Sequence, residues 1–198
     1  MQTVTGANYR GADWGGRDLA GQRFEHCDFH DADLVELETE GVVFEECDFS
    51  GARLNASSHR STAFLRCRFR RTSLFDAQLV GCKLTGSVFG GPCTLRPLRV
   101  DGGDWSYVSL RGQDLAGLDL TGVRLQEADL SQADLRKTVL RGADLGHARF
   151  DEAKTAGADL REAILTAVDL RSWDLTGVRL DLALAVQLAE SYGAVVDP

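Results

Sequence analysis

No apolar run in this 198-residue sequence approaches the ~18 residues of a membrane-spanning helix. The opening residues, MQTVTGANYR, have neither the basic n-region nor the apolar h-region of a secretion signal. The expectation is a cytoplasmic protein that touches no membrane. Catalytic signatures are missing too: there is no Gly-rich phosphate loop, no CxxC and no HExxH. His147 stands alone, and no carboxylate is paired with a candidate nucleophile. These absences argue against an enzyme, a resident cofactor, a metal and a small-molecule substrate.

The periods of ordinary secondary structure are also lacking. A helix wants apolar residues near every 3.6 positions and a strand every 2. Residues 126–145 read QEADL SQADL RKTVL RGADL, a period of five. Counting by fives from Tyr9 to Phe89 gives 17 positions, all Leu, Phe, Trp or Tyr except Thr39 and His59. Counting again from Leu95 to Leu180 gives 18 more, of which only Thr155 is polar. Like falls on like at a spacing of 20: Tyr9, Phe29, Phe49, Phe69, Phe89 form one column, and Ala7, Cys27, Cys47, Cys67, Ser87 its neighbour. Such a repeat is read before any helix or strand is assigned.

GANYRGADW, HDADL, EADLSQADL and RGADL resemble the A(D/N)LXX motif of the pentapeptide-repeat family. That resemblance implies an all-β fold, a right-handed quadrilateral β-helix with four pentapeptides per coil. The central residue of each block and the small residue two before it would point inward. Residues 1–198 then form a single solenoid. Its first stack is 9–89 and its second 95–180, with a phase-slip joint at 90–94, where Phe89 to Leu95 is six residues rather than five. Gly90, Gly91 and Pro92 suit that slip, since Gly tolerates positive φ and Pro fixes φ. Regular order is expected to begin near Tyr9.

Inward phase decides several residues. Cys27, Cys47 and Cys67 would stack ~4.8 Å apart, near disulfide reach. A coaxial column offers no tetrahedral metal geometry, so buried free thiols are expected. His26 and His30 are outward while Cys27 is inward, so the three should not meet one ion. His59 is expected to turn out to water at a local bulge beside Thr39. Large Trp105 against small Gly103 is a plausible pairing, and Trp173 marks a last coil whose interior opens.

The net charge of −8 hides three bands: −9 over residues 1–50, +8 over 51–99 and −7 over 100–198. A solenoid shows every outward position to solvent, so these become bands along a rod. The basic band runs from Arg53 to Arg71. It has no outward aromatics and is read as a solvated band or counter-charge, not a nucleic-acid site. In the second stack Asp114, Asp119, Asp129, Asp134, Asp144, Asp159, Asp169 and Asp174 each precede a central residue and should project outward as a partner-binding surface. Asp114, Asp134 and Asp174 would share a face, interrupted by Lys154.

Residues 181–193, DLALAVQLAESYG, abandon the period of five. Asp181 can cap a helix and Gly193 can end it. Leu182, Ala185, Val186 and Ala189 make one apolar stripe; Leu184, Leu188 and Tyr192 make another. A helix apolar most of the way round must be buried, and an open solenoid end needs a cap. One stripe can close the coil, which leaves the other for a dimer interface.

Segments 39–64, 94–101, 110–130 and the C-terminal LALAVQLAESYG are similar to the bacterial quinolone-resistance branch of the family, its loopless mycobacterial type in particular. The resemblance implies a homodimer joined through C-terminal helices. It further implies a rod that imitates B-DNA in the DNA-binding saddle of DNA gyrase, inhibiting the enzyme and protecting it from fluoroquinolones or other gyrase poisons. The alternative is a general protein-interaction rod with no gyrase partner.

Overall fold

The computed structural model describes residues 2–197; Met1 and Pro198, the ends of the expected domain, lie outside it. The chain winds as a right-handed quadrilateral β-helix closed by one C-terminal helix, Leu182–Ser191. All named strands pair in parallel, one coil on the next. One face stacks Gln2–Thr5, Gln22–Glu25, Val43–Glu45 and Ala63–Leu65. Another stacks Asp18–Ala20, Glu38–Glu40, Ser58–Arg60, Ala77–Val80 and Leu98–Asp101. Beyond Asp101 the faces shorten to single bridges, as in Asp114↔Asp134 and Asp159↔Arg179. Strand pairing begins at Gln2, ahead of Tyr9, because Gln2–Thr5 already has a coil to pair with at Gln22–Glu25.

The period of five is a consequence of the corners. Most blocks end in a turn whose second corner residue has positive φ, and many of these are not glycine: Glu36, Arg66, Asp76, Lys137 and Glu152 lie between 53° and 60°. The left-handed region costs an L-residue energy, so the corners depend on the coil hydrogen bonds around them. Gly103 is the one position where only glycine serves. Its φ is 114°, and a Cβ would lie 2.3 Å from the Cys82 carbonyl oxygen. The close neighbour is the Cys82 backbone and not the expected partner Trp105, which is itself buried in the core.

The central residues form an inward ladder. Phe29, Phe49, Phe69 and Phe89 stack with centroids 5.0, 5.2 and 4.7 Å apart, and Phe24, Phe44 and Phe64 stack beside them at 5.2 and 5.1 Å. These spacings match the distance between paired strands, so one repeat satisfies both backbone and ring packing. Cys27, Cys47, Cys67 and Cys82 are buried free thiols, each donating to a backbone carbonyl of the preceding coil. Burial raises the Cys82 thiol to about 11. Trp173 is buried against Phe150, 4.4 Å between rings, so the last coil is filled rather than open.

His59 does not turn outward. It is fully buried, directly above Thr39 in the inward ladder. Its polar atoms are satisfied by a chain of side chains. Thr62 Oγ1 lies 2.7 Å from Thr39 Oγ1, which lies 2.7 Å from His59 Nδ1. His59 Nε2 lies 2.9 Å from Ser57 Oγ, and the Ser57 hydroxyl donates to the Leu54 carbonyl at 2.7 Å. With Ser57 committed as donor to Leu54, His59 donates from Nε2 and accepts at Nδ1, which fixes one tautomer. A buried polar group is tolerated when paired in this way.

The twenty-residue register becomes twenty-one at the slip. Arg70 pairs with Gly90, but Ser73 pairs with Thr94 and Lys83 with Asp104; Asp104 with Arg124 restores twenty. The extra residue leaves backbone groups without strand partners, and the buried side chain of Gln113 takes them up. Its Nε2 donates to the Gly91 carbonyl at 2.9 Å, and its Oε1 accepts from the Cys93 N–H at 3.2 Å.

Burial lowers the His59 pKa from 6.5 to about 3. The folded protein keeps His59 neutral where the unfolded chain binds a proton, so stability falls as pH drops below 6.5 toward 3. His59→Leu should cost ~1–3 kcal/mol at neutral pH through the orphaned hydroxyls. It should also lose less stability than the parent between pH 7 and pH 4.5 in urea titrations. An equal loss in both proteins would show that His59 titrates as freely in the folded state as outside it.

Candidate partner-binding surface

The recurring aspartates of the second stack are held by one local bond. Each accepts the backbone N–H two residues on: Asp114 from Ala116, Asp119 from Thr121, Asp129 from Ser131, Asp134 from Arg136, Asp144 from Gly146, Asp159 from Arg161, Asp169 from Arg171 and Asp174 from Thr176, at 3.0–3.3 Å. Asp13, Asp28, Asp33 and Asp48 do the same in the first stack. This is an Asx-type turn. Aspartate before the central residue therefore secures the corner at these positions with one oxygen. In the second stack the other oxygen is taken by Arg or Gln at Asp114, Asp134, Asp144, Asp159 and Asp169, and among the described residues it is unengaged at Asp119, Asp129 and Asp174.

Exposure separates the eight. Asp114, Asp119, Asp169 and Asp174 are exposed; Asp129, Asp134 and Asp144 are half-buried. Asp159 is buried rather than outward, because the Arg161 guanidinium folds back over it at 2.6 Å. That hydrogen bond pulls the Asp159 carboxyl down to about 2, and Arg171 does the same for Asp169. Asp134 is lowered by its hydrogen bond to Arg136, 2.5 Å away, and Asp114 is paired with Arg96.

The eight do not collect on one face. Asp114 and Asp134 are neighbours in one column, with Lys154 next above them. Asp119 and Asp159 flank Val139 in a second column that ends at Arg179. Asp129 pairs with Arg149, and Asp144 with Ile164. The surface is one of carboxylates at fixed heights interleaved with Arg and Lys.

The C-terminal helix is less buried than its apolar composition requires. Asp181 caps it, accepting Leu184 N at 2.9 Å with one oxygen and Glu162 N at 2.5 Å with the other, which ties the helix to the last coil. Leu184 is buried against the core, and Leu188 packs partly on it. Gln187 Nε2 donates to the Leu165 carbonyl and the Tyr192 hydroxyl to the Arg171 carbonyl, both at 3.2 Å. Val186 and Ala189 are half-buried and Ala185 is exposed. Leu182 is 81% exposed, as are Val195 at 88% and Tyr192 at 64%. Among the described residues Leu184 is thus the one buried residue of the helix, and Tyr192, largely exposed, is tied to the coil by its hydroxyl.

Among the described residues no His, Cys, Asp or Glu group is placed to hold a metal. Cys27 points inward, while His26 and His30 lie beside Glu46 and Asp31. Among the described residues no helix is long and apolar enough to cross a membrane.

A family model described as pentapeptide repeats matches eight copies in this chain, over residues 23–58, 60–91, 106–142 and 143–181. The chain belongs to the pentapeptide-repeat family. Pentapeptide repeat protein MfpA of Mycobacterium tuberculosis (strain ATCC 25618 / H37Rv) is 48% identical over 95 residues, which cover 48% of this chain and 51% of that protein. The chain thus spans about half the length of the curated relative it matches. Full-length QnrB1, a plasmid-mediated fluoroquinolone resistance protein, superposes with a TM-score of 0.77 over 98% of both chains at 23% identity. A trypsin-treated QnrB1 variant gives 0.75 at 24% identity, over 99% of this chain and 98% of that one. At that identity the match establishes the solenoid fold.

The turn bond and the charge can be separated at an exposed position such as Asp119. Asn retains the accepting oxygen; Ala does not. Asp119→Asn should melt with the parent, and Asp119→Ala should melt ~2–4 °C lower, since it loses the turn bond together with the Thr121 hydroxyl bond to the same oxygen. Equal melting of the two variants would mean that the turn bond contributes nothing.

Proposed function

We propose that this chain is a non-catalytic binder and inhibitor of DNA gyrase that presents itself in place of duplex DNA and protects the enzyme from fluoroquinolones or other gyrase poisons. The observation that carries the reading is the row of turn-locked carboxylates on a stiff rod, in a chain nearly half identical to MfpA over the matched region. The resistance named for QnrB1 points the same way. Carboxylates fixed before binding lose little conformational entropy on contact with a basic groove.

A homodimer completes the rod. The outer stripe of the C-terminal helix, Leu182, Ala185, Val186 and Ala189, continues into exposed Val195 and Val196. Burying such side chains is worth ~1.5–3 kcal/mol for each large one, enough for a symmetric contact. Two second stacks end to end reach ~43 Å at the ~4.8 Å strand spacing. Each second stack holds 14 acidic and 12 basic residues, so the two carry about −4 net, with 28 carboxylates, against roughly −25 for duplex of that length. The net charge density of the rod is well below that of DNA, so any mimicry rests on individual carboxylates held at fixed positions between arginines, and the contact should weaken with salt.

In a gyrase supercoiling assay the purified chain should inhibit in proportion to its concentration. Replacing Asp114, Asp119, Asp129 and Asp174 together by Asn removes charge and keeps the turns. It should leave the melting point in place and raise the inhibitory concentration by about tenfold or more, the cost of a few screened ion pairs. The double variant Leu182→Glu, Val186→Glu should sediment as a monomer with the β-helix intact and inhibit more weakly. Leu188 is the wrong position for this test, since it packs on its own coil. Undiminished inhibition by the four-Asn variant would refute charge mimicry.

A further inference from the structure

The structure assigns the basic band a site of its own, a groove that takes a short acidic peptide segment of a partner protein. Arg68 and Arg70 lie on one short strand on either side of inward Phe69, so both guanidinia rise from the same face, ~6.6 Å apart along the strand. Among the described residues neither makes an ion pair or a side-chain hydrogen bond, whereas Arg53 and Arg66 are engaged with acids of the previous coil. The coil above supplies Val88 and Gly90 as their strand partners, and the coil below supplies Asp48 and Ser50. Together these enclose a shallow cavity of about 550 Å³.

The groove is open because Gly90, the strand partner of Arg70, and Gly91 bring no side chain over the arginines. A Cβ on Gly90 would meet Arg70 Cγ at 3.6 Å, and one on Gly91 would meet Arg71 Cγ at 3.4 Å, so the arginine stems lie over bare backbone. Val88, 47% exposed, adds an apolar wall. Asp48, on the opposite wall, carries a carboxylate with one uncommitted oxygen.

These features select the ligand. Two forked cations suit carboxylates or phosphates. A duplex extends beyond the groove on both sides and would run over bands of −9 and −7, whose repulsion acts within ~8 Å. A segment of a few residues stays inside the positive band. The apolar Val88 wall suits the apolar side chains of a peptide that alternates acidic and apolar residues, and the free Asp48 oxygen can accept a peptide backbone N–H, which a bare phosphate does not offer.

The test uses the full chain and a fluorescein-labelled decapeptide alternating Glu and Val, read by fluorescence anisotropy. Saturable binding is expected, weakened by about tenfold or more in Arg68→Glu, Arg70→Glu, the scale of losing charge-assisted hydrogen bonds. Gly90→Leu fills the floor without changing charge and should weaken binding as well, with Gly90 at a φ open to any residue. Both variants should melt close to the parent. Inorganic phosphate at matched ionic strength should leave the peptide bound, and a 20-base-pair duplex should bind less tightly than the peptide. No difference between parent and the double Glu variant, displacement by phosphate, or tighter binding of the duplex would each overturn the proposal.

Discussion

Every coil of this protein depends on the next through a single geometric condition. Backbone N–H groups of one coil must meet carbonyls one turn on, as Leu115 N meets Asp134 O and Asp134 N meets Gln113 O. With four corners closing four five-residue faces, that condition is met at a turn of twenty residues, and at twenty-one where one residue is inserted. Inward side chains then lie at strand spacing whatever their type, which is why Phe stacks on Phe and Cys on Cys. It also explains how corners with positive φ on Glu, Arg and Lys persist: the ladders on either side over-determine them.

The inward ladder was legible because it is written in apolarity at one fixed period. Much of what was not legible involves polar groups with partners distant in sequence. His59 looks like a misfit until Thr39, Thr62 and Ser57 are brought around it from adjacent columns. Gln113 looks like a polar error at a small inward position until the inserted residue twenty places earlier leaves Gly91 and Cys93 in need of it. Asp159 reads as outward because its position is outward, but the long side chain of Arg161 covers it. Asp-x-Arg and Asp-x-Ser spacings held a signal for the turn bond, since the acceptor and its N–H are only two residues apart.

The exterior is shaped by two demands on the same positions. Corner geometry asks for Asp before the central residue, and a basic partner would favour the same acid. The first demand accounts for Asp13 and Asp33 as readily as for Asp114 and Asp174, so acidity alone is no signature of mimicry. What distinguishes the second stack is its regular coils with the capped helix at its end. Interleaved Arg and Lys restrain the potential of the rod, and the pinned carboxylates compensate with fixed spacing.

Competition with DNA tests that account most directly. Fluorescently labelled chain would be titrated with DNA gyrase, and preformed complex then challenged with linear duplex DNA at two salt concentrations. Mimicry predicts mutually exclusive binding: duplex displaces the chain, and the complex weakens as salt rises. A stable ternary complex of chain, gyrase and duplex, indifferent to salt, would contradict it.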